Sequence, residues 1–373
     1  MRTFSLRLLM LILAASCSFV SLSQLKTETN ILRRAALLRA ETRKAERQQL
    51  LALAKEKGWD TLIKGKKGYI ASLARVDAFG MPLYIATENV NSAATIGTNK
   101  LWTGGSTGLN LDGAANNVKG KLALWDGGSP LGTHIEFAGR INEKDNADIS
   151  DHSTHVAGTM IAKGINPAAK GMSHGIQELL AYDMLNNSDI EEMMAEGPNL
   201  LVSNHSYGFP AGWQYNDRWE FYGPPNSTED YKFGYYSEEA QLWDSIAYNA
   251  PYYLPVKSAG NNRETNGPPV GETYYRRNAS GAWVAGTRPA GISNNDAYDI
   301  MSTVSNAKNI LVVGATNPIT VYSSAKDVAL TTFSSWGPTD DGRIKPDLVT
   351  DGVNVFSPIS TANNAYDIYT GTS

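Results

Sequence analysis

Cysteine is almost absent from this chain: of 373 residues one is a cysteine, Cys17, and it lies in the N-terminal leader. With that leader removed no disulfide can form, so the folded body must rely on its core, or on bound ions. Long hydrophobic runs are also missing beyond the N-terminus, and no later stretch is apolar enough to cross a bilayer. Positive charge is not in excess. The net charge is −4, and no basic stripe is interleaved with aromatics, which excludes a generally basic nucleic-acid binder. Internal repeats and low-complexity tracts are absent as well. What remains is the composition of a folded globular protein, 42% hydrophobic and 19% charged, long enough for one large domain plus a leader or for two ordinary domains.

The chain opens MRTFSLRLLMLILAASCSFVSLSQ. Arg2 and Arg7 precede an apolar run that ends in small residues, the pattern of a secretory signal cut after Ser23. A lipoprotein cut just before Cys17 is the alternative. Residues 24–67 carry 12 Lys/Arg and 5 Asp/Glu, a net of +7, and residues 68–373 carry 19 and 32, a net of −13. Apolar residues in the basic part recur at helical spacing, with Thr29 or Asn30 as candidate cap. Such a helix either docks on the acidic body or stays a solvated arm. The next stretch, YIASLARVDAFGMPLYIATEN, reads as a hairpin around Asp77–Gly80.

From about residue 90 short apolar runs alternate with helical stretches. The runs are KLALW (121–125), ELLAY (178–182), NLLVS (199–203), YYLPVKSAG (252–260) and NILVVGAT (309–316). Strands buried on both faces lose polar alternation, and parallel strands need helical crossovers, so the expected class is α/β with a mostly parallel sheet flanked by helices. The aromatic and acidic insertion 209–236 is expected to pack on its own aromatics; walling a cleft is the alternative.

In parallel sheets the working groups collect beyond the carboxyl ends of the strands. There the chain places Asp126 after KLALW, the segment NHSYG (204–208), and Asn261 within AGNN. A histidine-bearing helix start, DHSTHVAGT (151–159), and the closing Gly-Thr-Ser complete the set. An aspartate, a histidine and a serine in that chain order, with FSSWGPTDDGRIKPDLVTDGVNVFSP (333–358) ahead of the serine, resemble the subtilase family of serine proteases. The resemblance runs from roughly residue 90 to the end. It implies Ser373 as nucleophile, His152 as the base that takes its proton, and Asp126 as the group that fixes the imidazole tautomer. It implies Asn261 as donor to the oxyanion. Ser206, Tyr207 and Gly208 match the strand edge that pairs with an extended peptide, and Ser258, Ala259 and Gly260 match a wall of the primary side-chain pocket.

The domain plan that follows is a signal peptide (1–23), a basic helical prosegment with a hairpin (24–88), and a catalytic domain (89–373). Family leaders assist folding or block the cleft, so the resemblance implies that residues 24–88 assist folding or act as the enzyme's own inhibitor. The expected partner is a peptide or protein substrate, and the chemistry requires no cofactor. Structural calcium is common in the family and suits an acidic body, but no loop has oxygen-ligand spacing. His152 and His155 stand three apart, and with no third ligand nearby a metal site is not assigned; His134, His174 and His205 receive no role.

Three departures from the family pattern stand out. Ser153 replaces a usual glycine, Gly127 and Gly128 follow Asp126 where Ser or Thr then Gly is common, and Ser373 is not followed by Met-Ala and a helix. The chain is accordingly expected to belong to a longer gene product, and to be unstable and inactive at this length. Besides a secreted endopeptidase, the sequence allows a non-catalytic peptide-binding protein of the same fold. It also allows an exported structural protein, indifferent to loss of Asp126 or His152.

Overall fold

The computed structural model describes residues 27–64, 70–76, 80–87, 93, 95–295, 298–319 and 322–373. The expected signal peptide, Cys17, the tip of the hairpin turn and the boundary at 88/89 lie outside the described residues.

Among the described residues the α-helices are α1 (Thr29–Lys57), α2 (Asp151–Ile161), α3 (Asp189–Glu196) and α4 (Glu238–Asn249). The strands run β1 (Leu62–Lys64), β2 (Ile70–Val76), β3 (Pro82–Thr87), β4 (Leu122–Asp126), β5 (Ile141–Glu143), β6 (Leu179–Asp183), β7 (Val202–His205), β8 (Tyr207–Gly208) and β9 (Trp213–Tyr215). They continue as β10 (Trp219–Phe221), β11 (Leu254–Ser258), β12 (Thr273–Arg277), β13 (Trp283–Thr287), β14 (Leu311–Thr316), β15 (Leu348–Asp351), β16 (Val355–Pro358) and β17 (Tyr366–Tyr369).

The central sheet has seven strands in the order β15-β14-β11-β7-β4-β6-β5, and every adjacent pair is parallel. The five apolar runs supply β4, β6, β7, β11 and β14. β7 starts later than its run because Gly197–Asn199 forms a 3-10 turn and Leu200 drops into the core. β5 and β15 escape sequence reading; they are short edge strands with little apolar pattern.

The two faces of the sheet are separately filled. Ala123 and Trp125 face a core with Met193 and Met194 of α3 and Trp243 and Ile246 of α4. Leu124 faces the other way, onto Val156, Ala157 and Ile161 of α2 and Val355 of β16. Gly158 explains how β16 comes so close to α2: a Cβ there would sit 2.4 Å from Pro358 Cδ and from Ser357 Oγ. The insertion forms β9 and β10, which join β12 and β13 in a separate sheet around Trp213, Phe221 and Tyr274. Its own Trp213, Trp219 and Phe221 pack together, as expected, but Tyr274 and Ile292 from outside the insertion complete the cluster.

The N-terminal segment is docked. Leu32 and Ala36, one turn apart on α1, enter the same core as Trp125 and Trp243. Leu50 and Ala54 close a smaller cluster with Trp59 and Leu73. The helix ends at Gly58, whose φ of +69° suits glycine, with Lys55 and Lys57 in the last turn facing the negative end of the dipole. The cap expected at Thr29 or Asn30 is not there. Glu28 holds the cap position without capping the helix through its side chain, and its N–H donates to Asn249 O at the end of α4 (2.7 Å). β2 and β3 pair antiparallel as the expected hairpin, in a sheet ordered β1-β2-β3-β8.

Under the sheet, Glu192 accepts hydrogen bonds from Trp125 Nε1 (2.8 Å) and from Ser188 Oγ. Burial pushes its carboxyl up to about 7, with Asp145 and Asp189 adding to the effect. The unfolded chain loses this proton near pH 4.5 and the folded one near 7, so the native state binds more protons between those values. Stability should therefore fall as pH rises through that window, by about 3 kcal/mol from this group. Glu192→Gln should flatten that part of the curve in urea titrations from pH 4 to 8; an unchanged slope would contradict the assignment.

Candidate active site

Asp126 ends β4, at the carboxyl rim of the parallel sheet, and is fully buried. The turn beyond it needs glycine: Gly128 has a φ of +88°, and a Cβ there would lie 2.5 Å from Asp148 O. His152 is the second residue of α2, whose start is fixed by Ser150, the Oγ of which accepts from Ser153 N. The helix thus points the imidazole at the strand end. His152 Nδ1 and Asp126 Oδ1 lie 2.6 Å apart, and the same oxygen accepts from Gly127 N (2.7 Å). His152 Nε2 is buried and has no hydrogen-bond partner.

Ser373 reaches the same rim from the loop after β17. Its neighbour Thr372 donates its N–H to Asn261 Oδ1 (2.9 Å), and Thr372 Oγ1 accepts from Gly260 N (3.2 Å). Ser206 Oγ donates to Ser373 O (2.8 Å), and Ser373 Oγ lies 3.5 Å from Ser206 O. Residues 206, 260, 261 and 373 are therefore brought together, as are 126 and 152. The bond expected between His152 and Ser373 is not made: the hydroxyl turns to Ser206 O instead. Asn261 uses its carbonyl end on Thr372, leaving the amide end as the donor face. A cavity of about 480 Å³ adjoins Ser373 over Asn204, Val256 and Val313.

The expected substrate residues divide. The strand edge Tyr207–Gly208 is paired antiparallel with β3, Thr87 opposite Tyr207 and Ala86 opposite Gly208. The Tyr207 ring turns inward and borders the small pocket beside Asp189 and Lys257. It is buried, with its hydroxyl donating to Asp189 Oδ2 (3.1 Å), because it follows His205 onto the core face of the sheet. Ala259 likewise sends its methyl into the core, so only its backbone faces the rim. Ser258 O accepts from Ser305 Oγ (3.0 Å), while Gly260 takes a φ of +106° to turn the chain toward Asn261.

His155 packs into the core. Burial, with His152 beside it, pulls its pKa down to about 4; Nε2 meets Val355 O at 3.2 Å and the ring stacks on Tyr369. Ser153 is fully buried with an unpartnered hydroxyl, so it lies inside the helix packing and does not crowd the cleft.

His205 is the satisfied structural histidine that the sequence suggests, and Lys257 was missed from sequence. His205, held neutral by burial and by Lys257, links Ser203 Oγ (2.7 Å) to Tyr207 OH (2.8 Å) in a buried chain. Lys257, 2% exposed, braces the edge strand by donating to Tyr207 O and to Ser258 Oγ (3.1 Å). A lysine inside the apolar run LPVKS was the available signal.

A parallel α/β sheet with a buried aspartate–histidine pair at its carboxyl rim, beside a serine loop and an asparagine, defines a class of nucleophilic hydrolase scaffold. Comparison with known proteins makes the class specific: the chain belongs to the subtilase family (Peptidase_S8), whose match covers residues 133–373. That stretch includes His152, Asn261 and Ser373 and begins after Asp126. Among curated proteins, C5a peptidase of Streptococcus pyogenes serotype M3 is 43% identical over 68 residues, 18% of this chain and 6% of that protein. The chain thus matches only a small fraction of that relative's length. Among solved structures, the CspB protease of Clostridium perfringens is 14% identical at a TM-score of 0.43, covering 70% of this chain and 80% of that one. The serine protease of Aeromonas sobria is 18% identical at a TM-score of 0.42, covering 69% and 45%.

Proposed function

We propose that this protein is an exported serine endopeptidase acting through Ser373, His152 and Asp126. The observation that carries the reading is the buried His152, tied to Asp126 at 2.6 Å on one nitrogen and unsatisfied on the other. A buried polar atom without a partner costs about 1–3 kcal/mol. Others occur here, Ser153 Oγ among them, but this one belongs to an imidazole that a carboxylate already orients, as in a base awaiting a hydroxyl. Hydrogen bonds of this kind are often long or misaligned without substrate and tighten when it binds.

In the proposed reaction His152 Nε2 takes the proton of Ser373 Oγ as the oxygen attacks the peptide carbonyl. Asp126 holds Nδ1–H and stabilises the imidazolium. The Asn261 amide and the Ser373 N–H receive the oxyanion. His152 then protonates the leaving amine, and water repeats the sequence on the acyl-enzyme. The substrate backbone adds to the Tyr207–Gly208 edge, where β3 now lies, and residues 24–88 act as a prosegment covering that edge.

One observation favours a second reading, a peptide-binding protein that does not cut: Ser373 Oγ is directed at Ser206 O, not at His152. A fluorophosphonate probe, applied to the protein expressed from its native gene, separates the two. Labelling should appear on Ser373 and vanish in Ser373→Ala and His152→Ala. Absence of any Ser373-dependent adduct leaves binding alone.

A further inference from the structure

Two carboxylates end neighbouring strands at the carboxyl rim. β4 and β6 run parallel with Asp126 opposite Asp183, the last residue of each. Like charges brought side by side disfavour each other's ionised form, and burial adds to that cost. Burial, helped by the charges of Asp145 and Asp126, accordingly raises the Asp183 carboxyl above its ordinary range, although bonds from Leu185 N and Gly128 N oppose the shift. The proton transfers between His152 and Ser373 do not use this second carboxylate.

Its bonds show what it holds. Asp183 Oδ1 accepts from Leu185 N (3.0 Å), capping the 3-10 turn Met184–Asn186, and from Gly128 N (2.9 Å) across the strands. Gly127 and Gly128 follow Asp126 directly, and a peptide between two glycines has little conformational restraint of its own. On its far side the same turn is tied to the start of α2. Ser129 N donates to Asp148 O (2.8 Å), and Ser150 N donates to Ser129 O (2.9 Å). Ser150 caps the helix that carries His152. Asp183 is itself fixed from behind, its N–H donating to Asp145 Oδ2 (2.6 Å). A run of hydrogen bonds thus leads from β6, through the glycine turn, to both partners of the Asp126–His152 contact.

We infer that Asp183 is a positioning residue for the hydrolytic centre: it clamps the Gly127–Gly128 turn and so sets the angle at which Asp126 meets His152 Nδ1. The inference rests on the reading of Asp126 and His152 as the working pair, and Asp183 acts through them. Asp126 Oδ1 accepts from Gly127 N as well as facing Nδ1, so the carboxylate moves with the turn that follows it. Without the bond to Gly128 N, that turn loses its anchor on the β6 side. A misplacement of about 1 Å can cost about 10²-fold in rate.

The test compares Asp183→Ser and Asp183→Asn with the unaltered protein, each expressed from the native gene. A serine hydroxyl is one atom shorter: it keeps the cap on Leu185 N, for which serine is well suited, and falls short of Gly128 N. An asparagine keeps an acceptor oxygen for both bonds and removes only the charge. On a peptide p-nitroanilide, Asp183→Ser should lower kcat at least about tenfold with KM unchanged, and Asp183→Asn should restore it to within about threefold of native. A kcat within about twofold of native in Asp183→Ser means a role confined to the cap and overturns the inference. So does an Asp183→Asn chain as slow as the serine one. Should the serine chain fail to fold, the asparagine chain still decides, since activity lost there contradicts a clamp built on an acceptor oxygen. The second readout is the low-field proton NMR resonance of His152 Nδ1–H, which reports the contact with Asp126 whether or not a peptide is cut. It should move in Asp183→Ser and hold in Asp183→Asn; a resonance that serine leaves in place is equally fatal. Failure of the hydrolytic reading looks different. The unaltered protein then gives neither product nor fluorophosphonate adduct, and the resonance alone decides on Asp183.

Discussion

Replacing His152 by alanine in the protein expressed from its native gene is expected to lower kcat about 10⁶-fold, or about 8 kcal/mol, the loss measured for the corresponding group in subtilisin itself. The size follows from the geometry. His152 Nε2 is buried and unpartnered, and no other base approaches Ser373 among the described contacts. Asp126→Asn should cost about 10⁴-fold while leaving the fold intact. An asparagine amide would donate to Nδ1, placing the ring proton on Nε2, where the base must be free. Hydrolysis of a peptide p-nitroanilide, with circular dichroism as a folding control, checks both. Losses below tenfold in either variant would remove the triad from consideration.

Asn261 should produce the second-largest effect. Losing one oxyanion donor lowers kcat about 10²–10³-fold, roughly 3–4 kcal/mol, a magnitude established within this family. Here the residue has two jobs, since Oδ1 also accepts from Thr372 N and so helps seat Ser373. Asn261→Ala removes both jobs. Asn261→Asp preserves the acceptor but replaces the donor with a carboxylate facing the oxyanion. If oxyanion stabilisation is the main role, the aspartate variant should be at least as slow as the alanine one, with KM little changed. An aspartate variant as fast as the native protein would mean that Asn261 only holds the loop.

The central strands were legible because burial on both faces leaves nearly continuous apolar runs between turn residues, as in LALWD and ILVVGAT. β5 and β15 were not, since a strand of three or four half-buried residues carries no period to detect. Asp126, His152, Asn261 and Ser373 were each legible as polar stops after a strand or at a turn. The inward rotation of Tyr207 was not, because it depends on which face of the sheet His205 and Asp189 occupy. Docking of the basic helix was left open by charge alone. It was decided by Leu32 and Ala36, which find a core, and by two arginines that find buried glutamates.

The sequence by itself determined the alternation of strands and helices, the order Asp, His, Ser along the chain, and the electrical division between a basic head and an acidic body. Those are properties of neighbours, set by hydrophobic period and turn chemistry over a few residues. The tertiary structure alone decided that 126 meets 152 at 2.6 Å, that Ser373 turns toward Ser206, and that β3 lies on the edge offered to a peptide. These contacts join residues tens to hundreds of positions apart. Only the packing of both sheet faces, summed over the whole core, selects one such convergence among many compatible with the same local pattern.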